Sequence, residues 1–386
     1  MTILMTKGDF TLPTTNNNMS KEFTNNEIAE FAKSVLDTAL PIEETSLSHS
    51  FDVVVSQEKG YLDFIPMLPT SYSLDSEFCK RLQHALVGAL YPYFNVFASP
   101  APNFKPTGSN RLNDARSLRI YFRKGLYHRL KFVKLSDCVA KTNDGYHYVI
   151  PLMNGYNYRI STDDVGHIGL TGGSGNGKTM LLLYFAQCFL TMNAKLIMID
   201  PKLDTALYQF SQKHPEVKYF NPSAGDNTSV FMTDVLKQLA SVVDLIHYRQ
   251  QELITNPNKV FQPCVVFIDE ALALTSFLTK KQKDTYASFI DSITLMGRST
   301  SIILCIAAQG MEANTTLSST SRDQLGLKVV LSPNPGTSET RYLMKDYDPS
   351  SVVINKDGFN KGLGLAQMQS DNLIVPFMAP YIGSVD

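Results

Sequence analysis

The sequence predicts an α/β fold: a parallel sheet covered by helices, preceded by a small α+β unit. Three observations predict it. Short continuous runs rich in β-branched residues, "KLIMID" at 195–200, "CVVFIDE" at 264–270, "SIILCIAAQ" at 301–309 and "GLKVVLS" at 326–332, read as strands buried on both faces. Helical stretches lie between them, at 229–253 and from about 284 to 296, and this alternation implies parallel crossovers. A glycine-rich stretch, "TGGSGNGKTM" at 171–180, joins the apolar run His167–Leu170 to the helical run Met180–Phe189.

The chain has 386 residues, 44% of them hydrophobic, enough for about two domains with cores of their own. Its formal charge of −1 leaves any affinity for nucleic acid to local patches. Five scattered cysteines without a C-x-x-C pair suit a reducing cytosol, so the expected location is cytoplasmic. The uncharged stretch at 83–104 is long enough to suggest a membrane span. Pro92, Asn95, Pro100, Pro102 and Asn103 break it into a buried helix and an extended segment. The start of the chain lacks the basic and apolar regions of a secretory signal, and "TLPTTNNNMS" reads as a solvated leader. The expected organisation is a disordered leader at 1–22, a small α+β domain at 23–136 and a larger α/β domain at 137–386.

In chain order, "NNEIAEFAKSVLDTAL" spaces its apolar residues as a helix does and offers an Asn cap. "FDVVVSQ" and "YLDFIPM" flank a Lys59-Gly60 turn as two strands. Residues 76–90 form a helix, and "NVFASPA" and "SLRIYFRK" two further strands. Between 105 and 134, nine cations (Lys105, Arg111, Arg116, Arg119, Arg123, Lys124, Arg129, Lys131, Lys134) interleave with Tyr121, Phe122, Tyr127 and Phe132 against a single acid, Asp114. Cations and aromatics together fit a nucleic-acid groove. Strand alternation equally puts Arg119, Tyr121 and Arg123 on a solvated face, and a subunit interface is the third alternative. Asn154-Gly155 between "YHYVIPL" and "YNYRIST" marks a hairpin.

The glycine-rich stretch has P-loop spacing. Gly172, Gly173, Ser174, Gly175, Asn176 and Gly177 let successive N–H groups face phosphate oxygens. Lys178 reaches the β and γ phosphates, Thr179 offers a hydroxyl to Mg²⁺, and Met180 continues into the helix. "CVVFIDE" supplies two acids past a buried strand, Asp269 for Mg²⁺ and Glu270 to orient or deprotonate the attacking water. ATP and Mg²⁺ are the expected ligands. "LIMIDPKLD" sets Asp200, Pro201 and Lys202 at the sheet edge where ligands collect, Arg298 precedes the "SIILCIAAQ" strand, and Gln309 ends it.

These motifs, in this order, resemble the FtsK/SpoIIIE-like DNA translocases of the HerA-FtsK P-loop ATPase group. The resemblance rests on Gly172–Thr179, Asp200–Lys202, Asp269–Glu270, Arg298–Ser301 as an arginine box and Ala307–Gln309, and covers residues 145–386. "SRDQLGLKVVLS" and "NKGLGLAQMQSDNLIVPFMAPYI" look most like coupling proteins of conjugative and mobile elements. The resemblance implies a RecA-like P-loop NTPase fold and a homohexameric ring that binds ATP between subunits, with DNA of either strandedness in the pore. Relaxase, secretion or replication proteins would be its partners. Three departures stand out. The arginine box reads Arg-Ser-Thr-Ser instead of Arg-Ala-Ala-Gly, Gly310-Met311 follows Gln309, and the expectation is of a motor with neither a transmembrane anchor nor a winged-helix segment. The last disfavours chromosome partitioning.

The function expected is an ATP-dependent DNA translocase or coupling ATPase acting in transfer, mobilisation or replication of a mobile element. The alternative is a nucleotide-gated DNA- or partner-binding module without processive movement. Lys178, Glu270, Arg298 and Gln309 are the candidate catalytic residues. Arg298 is the candidate trans-acting finger, with Arg322 and Arg341 in reserve, and the opposing reading makes Arg298 a helix C-terminal cation.

Overall fold

The computed structural model describes residues 22–39, 50–67, 74–99, 101–142, 147–160, 166–222, 228–312, 316–345, 347–356, 358 and 360–385, apart from the side chain of residue 350. The expected leader lies outside them except for residue 22.

Helix α1 (Asn25–Ala39) begins one residue earlier than its expected cap implies. Thr24, not asparagine, closes it: the Glu27 N–H donates to Thr24 Oγ1 (3.2 Å), and the Thr24 N–H donates to Glu27 Oε2 (2.7 Å). This reciprocal box satisfies two N-terminal donors at once. Strands β1 (Phe51–Ser56) and β2 (Tyr61–Pro66) pair antiparallel, and helix α2 (Ser76–Leu90) follows. Strands β3 (Phe94–Val96), β4 (Phe104–Pro106) and β5 (Arg116–Lys124) complete a sheet in which β5 pairs with β2, β3 and β4. Alternation along β5 buries Leu118, Ile120 and Phe122 in a core shared with α1 and α2.

The other face of β5 carries Arg119 and Arg123, and both are engaged. Arg119 donates to both Asp63 carboxylate oxygens (2.8 and 2.7 Å) and lies 3.5 Å from the centre of the Tyr61 ring. Arg123 donates to the Asn154 carbonyl and stacks on Tyr127.

Strand β6 (Lys131–Lys134) leads to β7 (Lys141–Thr142) and to the predicted hairpin, β8 (Tyr148–Met153) and β9 (Tyr156–Ile160). Next come β10 (His167–Gly172), α3 (Lys178–Thr191), β11 (Lys195–Ile199), α4 (Thr205–Lys213), β12 (Lys218–Phe220) and the long helix α5 (Thr228–Thr255). Then follow β13 (Cys264–Ile268), α6 (Ala271–Ser276), α7 (Lys280–Met296), β14 (Ile302–Ala308), α8 (Ser319–Asp323) and β15 (Leu325–Leu331). Last are β16 (Leu363–Met368), β17 (Ile374–Met378) and β18 (Tyr381–Ser384).

The large sheet runs β12-β11-β13-β14-β10-β15-β16-β17. Its first five junctions are parallel. The expectation of a parallel sheet needs one correction, because β16 and β17 are antiparallel and extend it past β15. The short turn at 369–373 joining those two strands allows only that direction. Both faces are covered. Ile168, Leu170, Met198, Phe267 and Cys305 pack on one side with α3 and α4, and Ile199, Val266, Ile268, Leu304 and Ile306 on the other with α5 and α7. The two halves of the chain meet where Ala98 bridges Ile374, through hydrogen bonds of 3.1 and 2.9 Å.

All five cysteines are buried free thiols, and burial pushes Cys79 up to about 11 and Cys138 to about 12. Among the described residues no helix is long and apolar enough to cross a membrane.

His167 pins the start of β10. It is fully buried, accepts the Leu304 N–H at Nδ1 (3.0 Å), and so carries its proton on Nε2, which donates to the Thr294 carbonyl (2.9 Å). Burial lowers its pKa from 6.5 to about 4, with nearby Arg298 acting in the same direction. A depressed histidine contributes stability in full above the unfolded value and loses it as pH falls toward the folded one. We therefore expect the unfolding free energy in urea to drop by about 2 kcal/mol from this group between about pH 7.5 and pH 5. His167→Gln should remove that part of the pH dependence, and an identical pH profile in the variant would refute the assignment.

Candidate active site

Four strands of the large sheet end at one edge, and each delivers part of the site: β10 the glycine loop, β11 Asp200, β13 Asp269 and Glu270, β14 Gln309. Carboxyl ends of parallel strands form such crevices because the chain must leave the sheet there.

The loop's shape follows from its glycines. Gly172 has φ of +153°, and a Cβ there would stand 2.4 Å from the Leu331 carbonyl oxygen of β15. Gly177 caps α3 in the left-handed region at φ +97°. Gly173, Ser174 and Gly175 are exposed, and Met180 packs against the core below. Asn176 braces the loop by donating to the Leu331 carbonyl (2.8 Å) and accepting the Gly362 N–H at its own carbonyl (3.0 Å). Thr179 stands in the first turn of α3.

Lys178 is buried, and its ammonium donates to the carbonyls of Gly172 (2.8 Å) and Gly173 (3.2 Å). Burial lowers its pKa, while Glu270 and Asp269 oppose the shift. Asp269 is raised to about 7, first by burial and then by the charges of Asp200, Asp204 and Glu270. A divalent cation beside it would offset that crowding of carboxylates, and with Thr179 it supplies the hard oxygen ligands Mg²⁺ prefers.

Glu270 is 3% exposed and holds a left-handed conformation (φ +58°, ψ +67°) at the N-cap of α6. For a residue with a Cβ this is a strained backbone, of the kind that clusters at functional sites. Its Oε1 accepts the Gln309 N–H (3.0 Å) and its Oε2 accepts Lys202 Nζ (2.9 Å). The structure thus brings Lys178, Asp269, Glu270 and the Gln309 backbone together, while the Gln309 side chain is exposed.

Arg298 is not part of this cluster. It opens a 3-10 turn, Arg298–Thr300, before β14, whereas Gln309 follows the same strand. Seven residues of strand separate the two, about 20 Å. Gly297 caps α7, so Arg298 stands two residues beyond the last residue of the helix that it is expected to end. Of the reserves, Arg322 is buried, donates to the Met311 carbonyl (2.8 Å) and lies over Tyr342. These contacts tie it to its own chain. Arg341 is exposed and stacks on Tyr342.

Sequence reasoning did not assign roles to Lys202, Asp204 or Tyr219. Asp200 is fully buried and accepts from the Lys202 N–H (2.9 Å), the Asp204 N–H (2.6 Å) and the Tyr219 hydroxyl (2.7 Å). The alternating Asp-x-Lys-x-Asp pattern after β11 was the available signal.

No protein-family model matches the chain. Over 259 residues, 65% of its length, it is 24% identical to the FtsK domain-containing protein YdcQ of Bacillus subtilis. In sequence the chain resembles an FtsK domain-containing protein. It spans about half the length of that curated relative, 49%. Among solved structures, the chain is similar to the pCW3 conjugation coupling protein TcpA, in a monomer form with ATPγS. The identity is 16%, the TM-score 0.46, and the match covers 92% of this chain and 94% of that solved chain. It is also similar to EccC of Thermomonospora curvata (ATPases 2 and 3), at 16% identity and a TM-score of 0.43 over 66% of this chain and 49% of that one.

Proposed function

We propose that this chain is an ATP-dependent DNA translocase, with residues 137–386 as a RecA-like P-loop motor domain and 23–136 as a small α+β domain. The observation that carries the proposal is the buried Glu270 at the carboxyl edge of the sheet, beside Lys178 and Asp269. The resemblance to FtsK/SpoIIIE-like translocases supports DNA as the substrate and a homohexameric ring as the assembly. It also supports a role in transfer, mobilisation or replication of a mobile element.

In the proposed cycle the backbone N–H groups of 173–178 and the Lys178 ammonium bind the phosphates of ATP. Thr179 and Asp269 would hold Mg²⁺, which when bound would supply positive charge beside the phosphates. Glu270 orients a water and takes its proton as the water oxygen bonds to the γ phosphorus. The bond to the β–γ bridging oxygen breaks, giving ADP and phosphate. Gln309 fixes Glu270 through its backbone N–H. Arg298 acts on the nucleotide of a neighbouring subunit.

Arg119 and Arg123 make internal contacts, and the cations of the basic segment that are exposed to DNA are Arg111, Lys124, Lys131 and Lys134. ATP turnover measured with and without single- and double-stranded DNA, alongside mass in solution, tests the function. DNA-stimulated turnover in a ring-sized species is expected, and a DNA-indifferent monomer would reject it. Replacing Lys131 and Lys134 by alanine should flatten the salt dependence of DNA binding by about one unit of slope per lost phosphate contact. An unchanged slope would assign the segment to an interface or a plain surface.

A further inference from the structure

We propose that Lys202 restrains Glu270, so that turnover requires its ammonium to leave the carboxylate. The inference rests on the reading of Glu270 as the group that takes the water's proton.

The two partners are unequally free. The Glu270 side chain is 5% exposed and the Lys202 side chain 45%. Glu270 is fixed from both directions: its carbonyl accepts the Ala273 N–H (3.0 Å) and Leu274 N–H (3.2 Å) at the start of α6, and its Oε1 accepts the Gln309 N–H. Lys202 combines an anchored backbone with a free stem. The fully buried Asp200 holds the 202–204 turn through two backbone N–H groups, and Leu203 completes it in the left-handed region at φ +54°. From that anchor a four-carbon chain carries the ammonium to Oε2 at 2.9 Å. Lys202 is therefore the partner that can move.

The chemistry gives the pair its consequence. Glu270 has one oxygen on the Gln309 N–H and the other on a cation. The lone pair of Oε2 directed at the ammonium is withdrawn from the water whose proton it must accept. Lys202 also stands close enough to Lys178 to oppose its charge, which places the ammonium inside the same site.

The test is Lys202→Met, which keeps the stem and removes the charge, measured in the full chain. ATP turnover without DNA should rise about fivefold, the factor a partly exposed charge pair is worth, with KM for ATP unchanged. Lys202→Arg should return the rate toward the original. In a Lys202→Met, Glu270→Gln double variant the added turnover should vanish. Unchanged or lower turnover at unchanged KM would overturn the proposal, as would a rise in KM, which would make Lys202 a substrate contact. Thermal unfolding of each variant checks the fold, and Lys202→Gln serves if the methionine variant is unstable. Turnover in Glu270→Gln alone equal to the unsubstituted protein would instead reject the reading of Glu270, whatever Lys202 does.

Discussion

Lys178→Ala removes tight ATP binding, whereas Glu270→Gln leaves binding intact and stops turnover. That is the expected result if the two residues divide the work. Lys178 projects from the first turn of α3, and its ammonium rests on the loop's own carbonyls at 2.8 and 3.2 Å, a position from which it turns to phosphate oxygens. Hydrogen bonds from a charged group are worth about 1.5–3 kcal/mol each, so losing the ammonium raises the dissociation constant by about one to two orders of magnitude. Glu270 lies just past the end of a different strand, and in the proposed cycle it acts on the attacking water and not on the phosphates. A general base contributes about 10²–10⁴ in rate, and that factor disappears from turnover while affinity stays. Titration with a fluorescent ATP analogue and release of phosphate report the two quantities separately. Equal loss of affinity in both variants would sink the assignment.

Arg298→Ala subunits mixed with Lys178→Ala subunits, each inactive alone, recover part of the lost turnover. Arg298 and the P-loop belong to opposite edges of one sheet, so an arginine about 20 Å away along β14 cannot reach the phosphates of its own subunit. A loose phosphoryl-transfer transition state gains most from an added cation, and a finger of this kind is worth about 10³ or more in turnover. A cation that only complements the helix end would cost about 0.3–1 kcal/mol and leave turnover nearly intact. In mixed rings some interfaces pair an intact P-loop with an intact Arg298. No recovery in rings shown to contain both subunits would reject Arg298 and move the test to the exposed Arg341.

Local signals were legible and pairings across the chain were not. Helix α2 spans 76–90 as its apolar spacing predicts, and the hairpin turns at Asn154-Gly155. Both depend on neighbouring residues. Helix α1 shows the limit: Thr24, Asn25 and Asn26 are all cap-forming types, and only the reach of Glu27 selects Thr24. Helices α4 and α6, at nine and six residues, are too short for their periodicity to stand out. Composition showed a basic segment but not its partners. Asp63 lies 56 residues from Arg119, and nothing local says which cation it takes. Lys202 and Glu270, 68 residues apart, were each noticed, and only the folded sheet shows that they touch. The burial of Arg322 was hidden for the same reason, since the Met311 carbonyl and Tyr342 that surround it reach it through tertiary packing.

The parallel pairing of β18 with β6 has a consequence for biosynthesis. Tyr381 faces Lys131 and Ser384 faces Lys134, and Arg129 donates to the Ala379 carbonyl across 250 positions. As the ribosome elongates at about 5–20 residues per second, β6 waits on the order of ten to fifty seconds for the strand that completes its ladder. Until then its backbone edge and the apolar Val133, 68% exposed even in the finished fold, are open to other chains. The lysines at the two ends of β6, 131 and 134, then act as a guard, their charge discouraging a foreign strand from taking the place reserved for β18.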